Sequence, residues 1–247
     1  MTDTCRSCGN DYKVLACHWW QSDCSRPRFT QCQRQIITGL MLGDGGVYTN
    51  SDGGNPFLFV NMITPEYLNY LSEMFSYLST EPKLRKTAEQ SAEETRKASL
   101  TGTADKEKHS DVYHWRVSAN PELERWLKWY ESGEKVFPEN VKLTPTTLKH
   151  WYCGDGDFHV ESGRARISLS NERDNKKKIM DMFERAGFED FTWCRSKSRG
   201  DYADSVRITF NKEGTKWFFR YIGNPLPGFE YKWPDDYTHQ SNVQAVN

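Results

Sequence analysis

The sequence predicts an α+β protein in which an αββαββα unit occurs twice, the two copies being related by a pseudo-twofold axis. Two apolar helices that end in Gly-Asp-Gly support this prediction, one in ITGLMLGDGG (37–46) and one in TLKHWYCGDGDF (147–158). A second set of residues recurs with the same spacing in both halves: Arg116, Asn120, Trp126 and Tyr130 match Arg207, Asn211, Trp217 and Tyr221. Matched spacing of this kind indicates an internal duplication.

Length, charge and hydropathy narrow the class of protein. The 247 residues suffice for one large domain or for two domains of about 100 to 120 residues. The net charge of -1 argues mildly against a nucleic-acid partner, so a site for a polyanion must be a local patch. No apolar run long enough for a membrane-spanning helix occurs. The start MTDTCRSCGN lacks an apolar signal region, which predicts a soluble intracellular protein, in the cytoplasm or wherever its target lies.

Residues 1–30 are rich in cysteine and predict a small zinc module. Zinc requires four nitrogen or sulfur ligands in a tetrahedron, and C-x-x-C is the usual first pair. In a reducing compartment, clustered cysteines favour a metal over disulfides. The predicted zinc ligands are Cys5, Cys8, His18 and Cys24, with Cys17 competing with His18 for the third position. The alternative is a set of buried or idle thiols.

The first repeat is predicted over residues 31–140. A helix begins at Gln31, because Ile36, Gly39, Leu40 and Gly43 fall on one helical face. A short strand and a hairpin turn follow the helix, and then the strand PFLFVNM and the helix TPEYLNYLSEMFSYL, which Thr64 and Pro65 begin. Residues 86–111 have almost no bulky apolar side chain and predict a solvent-facing insertion. The strand VYHWRVS and the helix PELERWLKWY complete the repeat.

The second repeat is predicted over residues 141–247 and begins with a helix at Thr144-Pro145. The strand RARISLS alternates strictly, so Ala165, Ile167 and Leu169 share one face and Arg164, Arg166 and Ser168 the other. The remaining elements are two helices, NKKKIMDMFERAGF and KEGTKWFFRYI, and strands near 190–195 and 204–210.

The two aspartates at the helix ends are candidate metal ligands. Asp44 and Asp155 each lie at the negative end of a helix dipole, where a carboxylate needs a compensating cation. Two carboxylates brought together by helix pairing would repel unless a divalent ion lay between them. Gly39 and Gly43 would allow the helices to approach closely. The alternative, that Gly-Asp-Gly merely ends a helix in a turn, is weaker for two copies than for one.

These motifs resemble the paired signature helices of the LAGLIDADG homing endonucleases. The resemblance covers roughly residues 31–235 and includes the linker EKVFPENVKLTPTTLKHWYCGDG and the closing YKWP. It implies a monomeric, single-chain homing-endonuclease saddle whose four-stranded sheets lie in the major grooves of a double-stranded DNA target. His150, Trp151 and Cys153 depart from the family pattern, because they replace small or aliphatic residues of the second signature helix.

The resemblance also implies the catalytic residues. Asp44 and Asp155 would bind Mg²⁺ or Mn²⁺ with the scissile phosphates, and the backbone carbonyls of Gly43 and Gly154 would be further ligands. Two lysines, Lys135 and Lys232, match the family's central lysines and would stabilise charge at the phosphate or help to activate the water. Phosphodiester hydrolysis needs an activated water and charge neutralisation, which carboxylate-bound metal ions supply.

Basic residues on strands and hairpins are candidate DNA contacts. Arg164, Arg166 and Ser168 would face a groove, where arginine is suited to reading guanine. Arg195, Lys197 and Arg199 lie near a predicted hairpin and favour phosphate contact, as do Lys83 and Arg85 in the first repeat. The alternative for each is a solvated strand face.

The sequence therefore predicts a site-specific, Mg²⁺-dependent endonuclease that cuts both strands of DNA, with one aspartate serving each strand. A non-cleaving DNA- or RNA-binding protein on the same scaffold, such as an intron splicing maturase, is the first alternative. A structural zinc protein whose signature helices only pack against each other is the second.

Overall fold

The computed structural model describes residues 29–49, 55–98, 109–133, 135–136, 138–169, 174–196 and 205–237. These residues form seven α-helices and two four-stranded antiparallel sheets, so the predicted α+β class is confirmed. They divide into two compact units. The first unit contains the described residues up to Arg34 and Gly46–Leu127, and the second contains Gln35–Gly45 and the described residues from Lys128 onward. The domain bounds drawn from the sequence stay predictions.

The elements follow the predicted order in the second half, and the first half has one further helix between its last two strands. The helices of the described residues are α1 Gln31–Leu42, α2 Pro65–Phe75, α3 Ala88–Ala98, α4 Glu124–Leu127, α5 Pro145–Asp155, α6 Lys176–Arg185 and α7 Lys212–Ile222. The strands are β1 Gly45–Tyr48, β2 Phe57–Met62, β3 Lys83–Lys86, β4 Val112–Val117, β5 Gly156–His159, β6 Arg164–Ser168, β7 Phe191–Ser196 and β8 Ser205–Phe210. None of these helices is long and apolar enough to cross a membrane.

The sheet of the first unit has the order β1-β2-β4-β3 and buries one face. Strand β2 alternates as the period of a strand requires, with Leu58, Val60 and Met62 buried. Helix α2 packs its apolar side against this face, where Phe75 meets Trp115 edge-on at 5.3 Å between ring centroids. The opposite face of the sheet is therefore left to solvent or to a ligand.

Helix α3 lies in the stretch 86–111 that the sequence predicts to be a solvent-facing insertion. Its side chains are largely exposed, and Ala92 is buried. Lys97 pairs with Glu93 one helical turn away at 2.8 Å, and Lys86 pairs with Glu94. Such local pairs stabilise a helix that has little apolar surface to bury.

The sheet of the second unit has the equivalent order, β5-β6-β8-β7. Its buried face packs on α6 and α7 through a cluster of phenylalanines, among them Phe183, Phe188, Phe210 and Phe218. Helix α5 begins as predicted, with the Thr144 hydroxyl accepting a hydrogen bond from the Thr147 N–H at 3.2 Å.

Two of the four pairs of residues that recur in the two halves, the asparagines and the tyrosines, make hydrogen bonds to the backbone in both halves. Asn120 and Asn211 each cap the helix that follows, accepting hydrogen bonds from the N–H groups of Glu122 at 2.9 Å and Gly214 at 2.8 Å. Tyr221 donates to the Leu143 carbonyl at 2.6 Å, and Tyr130 donates to the Gly45 carbonyl at 3.4 Å. The recurring asparagines therefore fix the starts of helices, and the recurring tyrosines bind backbone carbonyls beside α1 and α5.

Candidate active site

Within the second unit, helices α1 and α5 contact each other through a glycine. A Cβ atom added at Gly39 would lie 2.4 Å from the Thr147 carbonyl oxygen and 2.7 Å from the His150 Cβ. Real Cβ atoms do not approach so closely, so only glycine allows this helix spacing. The atoms that a side chain at Gly39 would meet are a backbone carbonyl and a Cβ, so the close approach is one of helix backbones.

The two candidate aspartates meet where these helices end. A Cβ added at Gly154 would lie 3.1 Å from Asp44 Oδ2, and one added at Gly43 would lie 3.5 Å from Asp155 Oδ2. Each carboxylate therefore lies beside the glycine that precedes the other aspartate. The structure brings Asp44 and Asp155 together at the C-terminal ends of α1 and α5, as the pairing of the two motifs predicts.

The two candidate lysines occupy matching positions at this site. Lys135 Nζ donates to the carbonyl oxygens of Leu42 and Gly43, both at 3.3 Å. Lys232 Nζ donates to the carbonyls of Cys153 at 2.6 Å and Gly154 at 3.2 Å. Each ammonium group thus binds the last carbonyls of one signature helix, the negative end of its dipole.

The Asp44 carboxyl is solvent-accessible, yet the surrounding protein excludes water from much of its neighbourhood. This desolvation raises its pKa above the usual value, although the ammonium groups of Lys232 and Lys135 act in the opposite direction. Burial likewise lowers the pKa of Lys232, while Cys153, Asp44 and Asp155 act to raise it. Burial thus destabilises the charged forms of both groups, and their opposite charges offset part of that cost.

Trp151 holds the second carboxylate from within its own helix. Its indole Nε1–H donates to Asp155 Oδ2 at 3.2 Å, one helical turn along α5. The ring is buried and packs against Phe183 at 5.8 Å between centroids. This departure from the family pattern thus fixes the orientation of a candidate metal ligand.

We expect Trp151→Phe to weaken metal binding at Asp155, because phenylalanine is still aromatic but has no donor for the carboxylate. It is also smaller than the buried indole, so some loss of stability accompanies the change. Half-maximal cleavage of a target should then need about 10-fold more Mg²⁺, the size typical for loss of a group that orients a ligand. Titration of cleavage with Mg²⁺ measures this. Trp233→Phe is the matched control, because it also loses one indole donor, to the Gly223 carbonyl at 2.9 Å. An unchanged Mg²⁺ requirement in Trp151→Phe would refute the orienting role.

His150 should make the protein less stable in acid. Burial, with a smaller effect of Lys149, lowers the pKa of His150 from 6.5 to about 3. Between these values the unfolded chain binds a proton that the folded protein does not, so stability falls as the pH falls. We expect a contribution of up to about 1.4 kcal/mol per pH unit in this interval. Urea unfolding from pH 7 to pH 5 measures the slope, and His150→Gln should flatten it. Equal slopes in both proteins would contradict the assignment.

The oxygen donors at this site fit a hard divalent cation. The described residues contain no cluster of three or more His, Cys, Asp or Glu side chains. Mg²⁺ does not require one, because it keeps several waters and takes one or two carboxylates together with substrate phosphates. Asp44, Asp155 and the carbonyls of Gly43 and Gly154 are such donors. The predicted zinc ligands Cys5, Cys8, His18 and Cys24 lie outside the described residues, so that site stays a prediction.

The exposed face of the second sheet carries the predicted strand residues. Arg164 and Ser168 are exposed on β6, while Ala165 and Ile167 between them are buried. Arg166 lies on the same face, but its guanidinium forms an ion pair with Asp157. Its Nε donates to Asp157 Oδ2 at 2.9 Å, and its Nη2 donates to the same oxygen. The predicted alternation of β6 is therefore present, with one of its arginines held by a carboxylate.

The remaining basic candidates lie in different settings. Lys83 and Arg85 are exposed on strand β3. Arg195 is exposed but stands opposite Val206, whose side chain is buried, so it lies on the other face of the sheet from Arg164. Lys197 and Arg199 lie outside the described residues.

Sequence reasoning missed Arg207 and Arg116 as candidates for nucleic-acid contact. Arg207 is exposed on β8 and opposite Ser168, and Arg116 is exposed on β4 and opposite Phe59. Both lie between buried apolar neighbours, in SVRITF and VYHWRV. These two strands show the same alternation of apolar and polar residues that pointed to Arg164, so the sequence pattern could have identified both arginines.

The comparisons agree with this architecture. The model of the LAGLIDADG DNA endonuclease family matches residues 34–218. A structure of the homing endonuclease I-WcaI bound to its DNA recognition sequence shares the fold, with a TM-score of 0.61, 11% identity, and coverage of 86% of this chain and 88% of that chain. No curated protein matches the sequence.

Two further structures align less closely. Mesophilic variants of the homing endonuclease I-DmoI align at a TM-score of 0.45 with 15% identity, over 77% of this chain and 94% of theirs. The N-terminal LAGLIDADG domain of DUF199/WhiA aligns at 0.45 with 11% identity, over 79% and 83%. The family match spans most of the chain and contains both Gly-Asp-Gly motifs, which confirms the resemblance: the chain belongs to the LAGLIDADG DNA endonuclease family.

Proposed function

We propose that this protein is a site-specific endonuclease that hydrolyses one phosphodiester bond in each strand of double-stranded DNA, using Mg²⁺ at Asp44 and Asp155. The observation that supports it most is the matched pair of carboxylates and ammonium groups at the ends of α1 and α5. A protein that used these helices only for packing would gain nothing from placing two carboxylates together in a desolvated position.

Each half of the site has the parts that hydrolysis of a phosphodiester needs. Divalent ions bound there supply charge neutralisation and a water of lowered pKa. Asp44 and Asp155 would hold those ions through their carboxylate oxygens. Lys135 and Lys232 lie within hydrogen-bond reach of the carbonyls next to the aspartates, so their ammonium groups can stabilise negative charge on a phosphate placed there.

The exposed sheet faces provide the DNA-binding surface in this proposal. A B-DNA major groove is wide enough to admit β-strands, and arginine donates two hydrogen bonds to guanine there. Arg164 and Arg207 are exposed on the second sheet for such contacts, and Lys83 and Arg85 on the first for phosphates. Local clusters of this kind reconcile DNA binding with a net charge of -1.

Selection from a randomised duplex library tests the proposal. The full chain is incubated with the library and Mg²⁺, and cut molecules are sequenced. We expect a defined target cut in both strands, with no cutting in EDTA. Binding of a defined site without cleavage in Mg²⁺ or Mn²⁺ would instead assign the chain to the non-cleaving, maturase-like alternative. Neither binding nor cleavage would remove the proposed function.

A further inference from the structure

The exposed face of the first sheet is aromatic. Tyr48 is 54% exposed and packs against Phe59, with ring centroids 5.0 Å apart. Phe59 in turn stacks on the His114 ring at 6.2 Å and lies 6.5 Å from the Phe57 ring. With residues of strand β3 these side chains line an open hollow of about 540 Å³.

The second sheet has hydrogen-bonding side chains at the same positions. Phe59 stands opposite Arg116 in the register of β2 with β4, as Ser168 stands opposite Arg207 in the register of β6 with β8. Two residues earlier in each strand, Phe57 of β2 lies at the position that Arg166 occupies in β6. The two halves of the duplicated chain thus present different chemistry on equivalent strands, rings on one and polar groups on the other.

Cations surround the aromatic face. The Arg116 guanidinium lies over the Phe57 ring, 5.8 Å from its centroid, and Lys83 and Arg85 are exposed on the neighbouring strand. Burial, and then the charges of Arg85 and Arg116, lower the pKa of His114. The face therefore combines apolar rings with positive charge that complements a phosphate backbone.

We propose that the first sheet recognises thymine-rich DNA through the thymine methyl groups, whereas the second sheet reads guanine through Arg164 and Arg207. This inference rests on the proposed function, since it assumes that duplex DNA lies against both faces. Among the four bases, only thymine presents a methyl group in the major groove, and phenylalanine is suited to contact it. A phenyl ring offers no hydrogen bond to the polar edge of any base, so the thymine methyl is the one group in the major groove whose apolar contact offsets the cost of desolvation.

Replacing thymine with uracil in the selected target tests the inference. Uracil pairs as thymine does and lacks only the methyl group, so the substitution isolates the proposed contact. Affinity is measured for targets with uracil in either half. We expect uracil in the half of the target that contacts the first sheet to weaken binding about fourfold for each methyl group contacted. This is the change in affinity that corresponds to burying one carbon. Uracil in the other half should have no effect.

Two variants assign the effect to the aromatic face. Phe59→Ser, which installs the residue found at the equivalent place in the second sheet, should bind the thymine and uracil targets more equally, because one set of methyl contacts is lost. Val160→Ser removes another exposed apolar side chain, one that is 79% exposed in the second unit, and should discriminate as the unaltered protein does. Circular dichroism checks that Phe59→Ser is folded, and the comparison on the unaltered protein stands without it.

The possible results separate this inference from the proposed function. A selected target that the unaltered protein binds equally well with thymine or uracil overturns the inference alone. So does unchanged discrimination in a folded Phe59→Ser variant. Tighter binding of the single-stranded target than of the duplex would instead identify the rings as a platform on which unpaired bases stack. If the selection finds no bound duplex at all, the proposed function fails and the inference fails with it.

Discussion

Replacing Asp44 with asparagine should reduce cleavage of the target by at least about 100-fold, the loss typical when one group that stabilises transition-state charge is removed. Asparagine keeps the size of the side chain but is a poor ligand for Mg²⁺. DNA binding should remain, because the sheet faces are untouched. Single-turnover cleavage and a binding titration in Ca²⁺ separate the two effects, and Asp155→Asn should behave in the same way.

The same substitution should slightly raise the thermal midpoint in EDTA. The pKa of the Asp44 carboxyl is raised in the folded protein, so above its unfolded-state pKa the ionised form opposes folding. Neutral asparagine removes that penalty. Glu184→Gln, an exposed acid of α6, is the control and should leave both cleavage and the midpoint unchanged. Full cleavage activity in Asp44→Asn would remove the proposed mechanism.

Gly39→Ala should destabilise the protein by about 2–3 kcal/mol, the upper part of the range for overpacking. The new methyl group would meet the Thr147 carbonyl and the His150 Cβ, and neither atom can rotate away because both are fixed by helix α5. Alanine is favoured over glycine within a helix by about 1 kcal/mol, which offsets only part of this cost. Thermal or urea unfolding measures the difference.

Cys32→Ala is the matched control for that substitution, since Cys32 is exposed on the same helix. Its stability should lie within about 0.5 kcal/mol of the unaltered protein, as for surface substitutions in general. The Gly39→Ala variant should also cleave more slowly, because wider helix spacing moves the two aspartates apart. A Gly39→Ala protein as stable as the control would show that the helices are not held at this spacing.

Much of the fold follows from periodicity. The strand RARISLS shows its alternation in the structure, and the last helix has the bounds of the motif KEGTKWFFRYI. Helix α3 and strand β3 were not predicted as such. KLRK has no alternation to mark it, since every side chain of this edge strand is at least partly exposed and its hydrogen bonds to β4 alone define it. An element that buries little apolar surface lacks the periodic apolar pattern by which a sequence predicts a helix or a strand.

The residues of the candidate site also divide into those that the sequence identified and those that it did not. The aspartates were identified from the two Gly-Asp-Gly motifs, and the lysines only from the resemblance to the LAGLIDADG family. The hydrogen bond from Trp151 to Asp155 and the ion pair of Arg166 with Asp157 were not, because they depend on side-chain directions and strand register. Composition alone does not show which face of a strand a ring or a guanidinium occupies.

The position of Lys232 determines when the candidate site becomes complete during synthesis of the chain. Its backbone is anchored by the Tyr152 hydroxyl, which donates to the Lys232 carbonyl at 2.9 Å, and its ammonium group reaches the end of α5. The other lysine is translated 97 residues earlier, before α5 exists. A ribosome must therefore pass codon 232 before both halves of the candidate site have their cation, so a nascent or prematurely terminated chain lacks one of the two ammonium groups.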